Sequence, residues 1–247
     1  MTPHDEIQAS HERGDHEAVL RETERRLANR PGDDAAHEYR ARALLALGRL
    51  EEAAEHAQDA VRLDPDEIRY RELLAQVLSQ QGAHGDAAAE FGRLARNDPG
   101  QTTWTLAEAQ ERLGASQPAM GLEAARRAVR LEPRNGRAQL ALSQALARTG
   151  DARGAFQAAG AATRLLGGLP EAREALADAR WLGNDDATAF DEFRSLADEM
   201  RGVDADRIIA KARTLYRQHA GWAGRLVAGI GPLFAFAFRR GLVRVDR

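Results

Sequence analysis

The chain has 247 residues, of which 43% are hydrophobic, 30% charged and only 5% aromatic, and it has no cysteine, which excludes a disulfide framework and any thiolate metal site. A formal net charge of -3 at pH 7 speaks against a general binder of nucleic-acid phosphates, which would carry a basic stripe. The text is dominated by Ala, Leu, Glu and Arg, residues that lose little freedom in a helix, so an all-α fold is expected.

Met1-Thr2-Pro3-His4-Asp5-Glu6 has neither a basic nor an apolar run and does not read as a secretory signal, so a cytoplasmic place is expected. From there a repeat governs the chain. Pro31, Pro65, Pro99 and Pro133 stand 34 residues apart, and Gly167 takes the next step. A second ladder of breaks runs through Gly14, Gly48 and Gly82, then Ser116 with Gly114 just before it, then Gly150. Between the breaks apolar residues recur at helical spacing, as in Leu44, Leu45 and Leu47, then Ala53, Ala57, Ala60, Val61 and Leu63. Each unit is therefore two short helices. Small residues recur in columns (Ala41, Ala75, Ala109, Ser143; Ala53, Ala87, Gly121, Ala155), as close helix packing requires. A pair this short cannot bury its apolar face alone, and stacking pairs solves the problem.

These residues resemble the tetratricopeptide family: Ala46-Leu47-Gly48-Arg49-Leu50-Glu51-Glu52-Ala53-Ala54 and Ala60-Val61-Arg62-Leu63-Asp64-Pro65 match its signature almost residue for residue. The resemblance implies a right-handed superhelical solenoid of antiparallel helix pairs, with about five to six repeats and C-terminal capping helices. Units are placed at 1–33, 34–67, 68–101, 102–135 and 136–169, with a degenerate sixth at 170–201 that keeps Leu176, Ala177, Ala189, Phe193 and Leu196 but has Arg201 where the Pro would stand. In the fourth unit Gly114 sits early and Ala115-Ser116-Gln117-Pro118 lengthens the turn, so its first helix is expected to be shifted. The resemblance further implies a groove lined by first helices that binds another protein or peptide. Its residues would be Glu38, Arg42, Glu72, Gln76, Ser79, Trp104, Glu108, Leu140 and Gln144, with Trp104 the candidate hot spot and Trp181 a core residue. The family's clamp for a peptide C-terminal carboxylate is missing, because those positions hold residues such as His4, Gln8, Tyr39, Arg69 and Leu73.

Residues 202–221 read as an amphipathic capping helix with an acidic start, and 222–247 as an apolar and basic tail. Residues 220–247 hold Arg225, Arg239, Arg240, Arg244 and Arg247 against Asp246 alone, a local +4. Leu226 to Phe238 carries no charge but, at thirteen residues, is too short to span a bilayer, which takes about 20. Three readings stand open for Trp222, Leu226, Ile230, Leu233, Phe234, Phe236, Phe238, Arg239 and Arg240: a structural cap, a contact with a membrane surface, or a docking segment for a partner or a second copy.

No chemistry of a catalyst emerges. His11 and His16 are five apart and flank a turn, unlike a zinc-binding His pair on one helix; His37, His56, His84 and His219 are scattered and read as solvated; Asp64-Pro65-Asp66-Glu67 reads as a helix start. No catalytic residue, cofactor or metal site is assigned, and no nucleic-acid partner. The expected function is an interaction scaffold; the rivals are a membrane-associated assembly factor held by its tail, an accessory subunit of an enzyme complex, and a self-assembling repeat.

Overall fold

The computed structural model describes residues 3–245, with side chains from Ile7 onward; Met1, Thr2, Asp246, Arg247 and the side chain of His4 lie outside the described residues. It falls into two compact units, 1–124 and 125–247.

The first unit holds α1 (Pro3–Glu12), α2 (His16–Asn29), α3 (Asp34–Ala46), α4 (Leu50–Leu63), α5 (Ile68–Gln80), α6 (His84–Asn97), α7 (Thr102–Gly114) and the beginning of α8 (Pro118–Leu131). The second holds the rest of α8, α9 (Gly136–Arg148), α10 (Ala152–Leu165), α11 (Pro170–Leu182), α12 (Asp186–Glu199), α13 (Val203–His219), α14 (Trp222–Gly229) and α15 (Gly231–Arg239). All regular structure among the described residues is helical. From α3 to α12 the period never slips: α3, α5, α7, α9 and α11 are each 13 residues long and α4, α6, α8, α10 and α12 each 14.

One turn explains the regularity. Every first helix ends when a residue adopts a left-handed conformation: Gly14, Gly48, Gly82, Ser116, Gly150 and Asn184, with φ between 57° and 85°. The following amide then bonds back to the carbonyl five residues earlier, as in Arg49 N–H to Leu44 O (2.9 Å), Gln117 to Arg112 (2.8 Å) and Asp185 to Arg180 (2.9 Å). This closes the helix end and aims the chain into the second helix. The shift expected in the fourth unit is therefore corrected. Ser116 itself takes the left-handed position at φ 57°, Gly114 remains inside α7, and the turn is as short as the others.

In the first unit the core runs through Ile7, Val19, Leu44, Leu73, Leu74 and Val77 with Ala41, Ala53, Ala57 and Ala87 at the helix crossings. In the second, Phe190, Phe193, Leu196, Ile208, Ile209 and Leu215 form the centre, joined by Trp181 at the edge, 6.3 Å from the Phe193 ring. The tail divides. Phe234 and Phe238 are fully buried, stacked 5.7 Å apart with Phe238 edge-on to Phe190 at 5.0 Å, and so close the end of this core. Trp222, Leu226, Ile230, Leu233 and Phe236 stay exposed.

Candidate functional site

In a stack of helix pairs, the first helices present one face away from the second helices, and the repeat fixes which positions lie there. In the first unit Glu38 and Arg42 on α3, and Glu72 and Gln76 on α5, occupy corresponding positions 34 residues apart. The strict register carries these two columns to Leu106 and Gln110 on α7, not to Trp104 and Glu108. The expectation for Trp104 and Glu108 rests on a register displaced by two residues, and the structure corrects it. Trp104 stands in the buried column of Tyr70, partly covered against Ala75, Phe91 and Leu94, and Glu108 is buried close to Gly92 of α6.

The face is graded in charge. Glu38 is buried and accepts from Arg42 at 3.0 Å, with Arg69 3.7 Å away. Burial pushes the neighbouring Tyr39 hydroxyl above its ordinary value and, aided by Arg42, pushes His11 down; the two rings meet edge-on at 5.4 Å. His11 thus packs on an aromatic ring. Glu72, by contrast, has no ion-pair partner, and the exposed side chains of Gln76 and Gln110 no hydrogen-bond partner, among the described residues. Ser79 is committed, donating to Glu111 at 2.6 Å. Of the residues at the carboxylate-clamp positions, Leu73 is core and Gln8 donates to Glu12 at 2.9 Å.

In the second unit the same columns hold Leu140 and Gln144 on α9, then Glu174 and Asp178 on α11. Leu140 is half-buried; Gln144 is exposed and unbonded, like Gln76 and Gln110. It lines a cavity of about 400 Å³ with Arg148, Glu171, Asp178, Arg207 and Lys211. Here Glu174 is bound by Arg207 through two nitrogens and by Lys211 at 2.8 Å, while Lys211 also reaches Asp178 at 2.6 Å. The two carboxyls are driven apart. Burial would raise Glu174, but the hydrogen bonds from Arg207 and Lys211 outweigh it and hold it low; at Asp178 burial prevails over Lys211 and the carboxyl is raised. Ser143 beside them is engaged, donating to the Ala155 carbonyl at 2.9 Å. Sequence reasoning missed Glu174, Asp178, Arg207 and Lys211, although a full sixth period would have placed the first two in the columns.

His37 and His56 are not scattered, as expected from their spacing, but meet between α3 and α4 with Nδ1 atoms 2.9 Å apart, and Asp59 lies 3.7 Å from His37. Among the described residues these three are the one group of ligand-type side chains close enough to share a cation. Their hydrogen bonds are already closed without one. Arg40 Nε–H can only donate, so His56 Nε2 accepts at 3.0 Å; His56 Nδ1–H then donates to His37 Nδ1, and His37 Nε2–H donates to the Pro31 carbonyl at 3.1 Å. A cation on His56 Nδ1 would require a proton on Nε2, facing Arg40. The pair also sits where other repeats place an Arg–Glu bridge 19 residues apart, Arg71 with Glu90 (2.7 Å) and Arg173 with Glu192 (2.6 Å). It ties the two helices of its repeat together.

The family model described as tetratricopeptide repeat matches residues 12–68, 41–102 and 106–170. Among solved structures, a tetratricopeptide repeat protein from Parabacteroides merdae is 12% identical, with 94% of this chain and 98% of that one aligned at a TM-score of 0.70. YrrB, described as having an unusual peptide-binding site, is 17% identical over 74% of this chain and 94% of its own at 0.58. MamA from Desulfovibrio magneticus is 20% identical over 66% and 90% at 0.57. At these identities the likeness is one of fold. No curated protein matches the chain.

Proposed function

Since this chain belongs to the tetratricopeptide repeat family, a family of interaction scaffolds, we propose that it holds a partner polypeptide against the exposed face of its first helices. The observation that carries this reading is a glutamine at one position of two consecutive first helices of the first unit, Gln76 and Gln110, whose side chains have no hydrogen-bond partner among the described residues; the second unit has Gln144 at its own corresponding position. A primary amide donates and accepts at once, so it can pair with both the N–H and the C=O of a backbone laid along it, whatever the partner's side chains. Glu72, without an ion-pair partner, and Leu106 beside these amides favour a segment with basic and apolar side chains. The protein acts as a non-catalytic adaptor, and its lack of cysteine suits a reducing compartment such as the cytoplasm.

Selection of displayed peptides on the full chain tests this. Binders enriched in Lys or Arg with apolar neighbours are expected, and Gln76→Ala with Gln110→Ala should weaken them about tenfold, the equivalent of roughly 1.4 kcal/mol in lost hydrogen bonds. Glu72→Gln should cost less and mainly at low salt. If the selected peptides bind the Gln76→Ala, Gln110→Ala double variant as well as the parent, this face is not the binding surface.

A further inference from the structure

We infer that α14 and α15 form an anionic-lipid-binding surface, which docks the protein on the headgroup layer of a membrane without crossing it. The two helices bury one side in the second unit, through Ala228, Phe234 and Phe238, and leave the other uncovered. Trp222 is 78% exposed, Leu226 63%, Leu233 60% and Phe236 57%, a density of large apolar side chains that a water-facing surface does not ordinarily carry. Trp222 and Leu226 lie one turn apart on α14, as do Leu233 and Phe236 on α15, so each helix offers a single apolar stripe.

Charge decides which occupant this side suits. Between Asp206 and Asp246 the sequence has no acidic residue and eight Arg or Lys. Of these, Arg225, Arg239 and Arg240 are exposed on the two short helices and at their end and make no ion pair among the described residues; Arg240 lies over the Phe236 ring at 5.6 Å. A second copy of the chain would bring the same arginines against themselves around a shared apolar centre. A layer of anionic headgroups over hydrocarbon complements both features at once: aromatic and aliphatic side chains enter the boundary while arginine stems lie along it and hold their guanidiniums at the phosphates. Among the described residues no helix is long and apolar enough to cross a membrane, and α14 and α15, at 8 and 9 residues, are of a size to lie in the interface.

The test is flotation of the full chain with phosphatidylcholine vesicles, with and without phosphatidylserine, at low and high salt, alongside light scattering without lipid. The parent should float only with phosphatidylserine vesicles and release as salt rises. Arg239→Gln with Arg240→Gln should weaken binding by about fivefold per arginine. Trp222→Ser with Phe236→Ser, both at exposed positions, should abolish binding while unfolding unchanged. Should the parent fail to bind either vesicle, the inference is wrong whether the chain is monomeric or not. A dimer in lipid-free solution that Phe236→Ser dissociates, with no flotation, would assign the surface to a second copy instead. Binding equal for both vesicle types and indifferent to salt would likewise overturn the anionic-lipid reading.

Discussion

Acidification should loosen the first unit through one imidazole. Burial, aided by Arg40 and His37 and against the weaker opposing pull of Asp59 and Glu52, pushes His56 down from 6.5 to about 4. In the unfolded chain His56 titrates near 6.5, so between that value and about 4 the unfolded state holds more protons and folding stability falls as pH falls. Above this window the neutral chain from Arg40 to Pro31 is intact; below it both states are protonated and no more is lost. At 1.36 kcal/mol per unit the full shift would come to about 3 kcal/mol, but His56 is partly solvated and screening roughly halves this, to about 1–2 kcal/mol. Carboxylates elsewhere also titrate, so the quantity to measure is the difference between the parent and His56→Gln, an uncharged side chain that can still donate and accept. Urea unfolding of both at pH 7 and pH 5, with hydrogen exchange in α3 and α4 as a local probe, gives that difference. Since pH 5 lies inside the window, the parent should lose about 1 kcal/mol of this relative to the variant on going to pH 5. A difference that does not change with pH would refute the neutral, closed hydrogen-bond chain.

Four further substitutions probe the repeat and its C-terminal cap. Ser116→Gly should stabilise the chain by about 0.5–1 kcal/mol, since a left-handed residue with a Cβ is strained, while Gly82→Ala should cost about 1–2 kcal/mol; thermal unfolding reads both. Phe238→Ala, at a fully buried position, should cost about 3–5 kcal/mol and show first as faster exchange in α12 and α13. Tyr70→Phe removes the hydroxyl that donates to Asp34 at 2.9 Å and should cost about 1.5–3 kcal/mol in a urea titration.

The architecture was legible because each break has a stringent local demand. A left-handed turn residue, a proline after the second helix and small residues at the crossings cannot be exchanged freely, so their 34-residue spacing survives in the text. The same reliance on glycine misled the reading at the fourth unit: Gly114 drew the break to itself, whereas the period alone pointed to Ser116. A serine can be forced left-handed when the packing of both helices over-determines the turn, and a glycine can remain helical. That two-residue error displaced Leu106 and Gln110 from the expected groove and put Trp104 in their place. The histidine pair was hidden for another reason. An antiparallel pair joins residues 19 apart, a separation that no local periodicity reveals. It becomes visible only by aligning repeats, where Arg71–Glu90 and Arg173–Glu192 fall on the positions of His37–His56.

The tail was least legible, because the sequence offered its apolar residues as one block of thirteen and the readings as alternatives. Two short helices divide that block by face, which composition cannot express. Phe234 and Phe238 are four residues apart and point into the core, while Leu233 and Phe236, one turn apart, point out. Capping and surface binding therefore do not compete for the same side chains. Substitutions at Phe238 should move stability and those at Phe236 should move binding, and a variant that moved both equally would mean that the two faces are not independent.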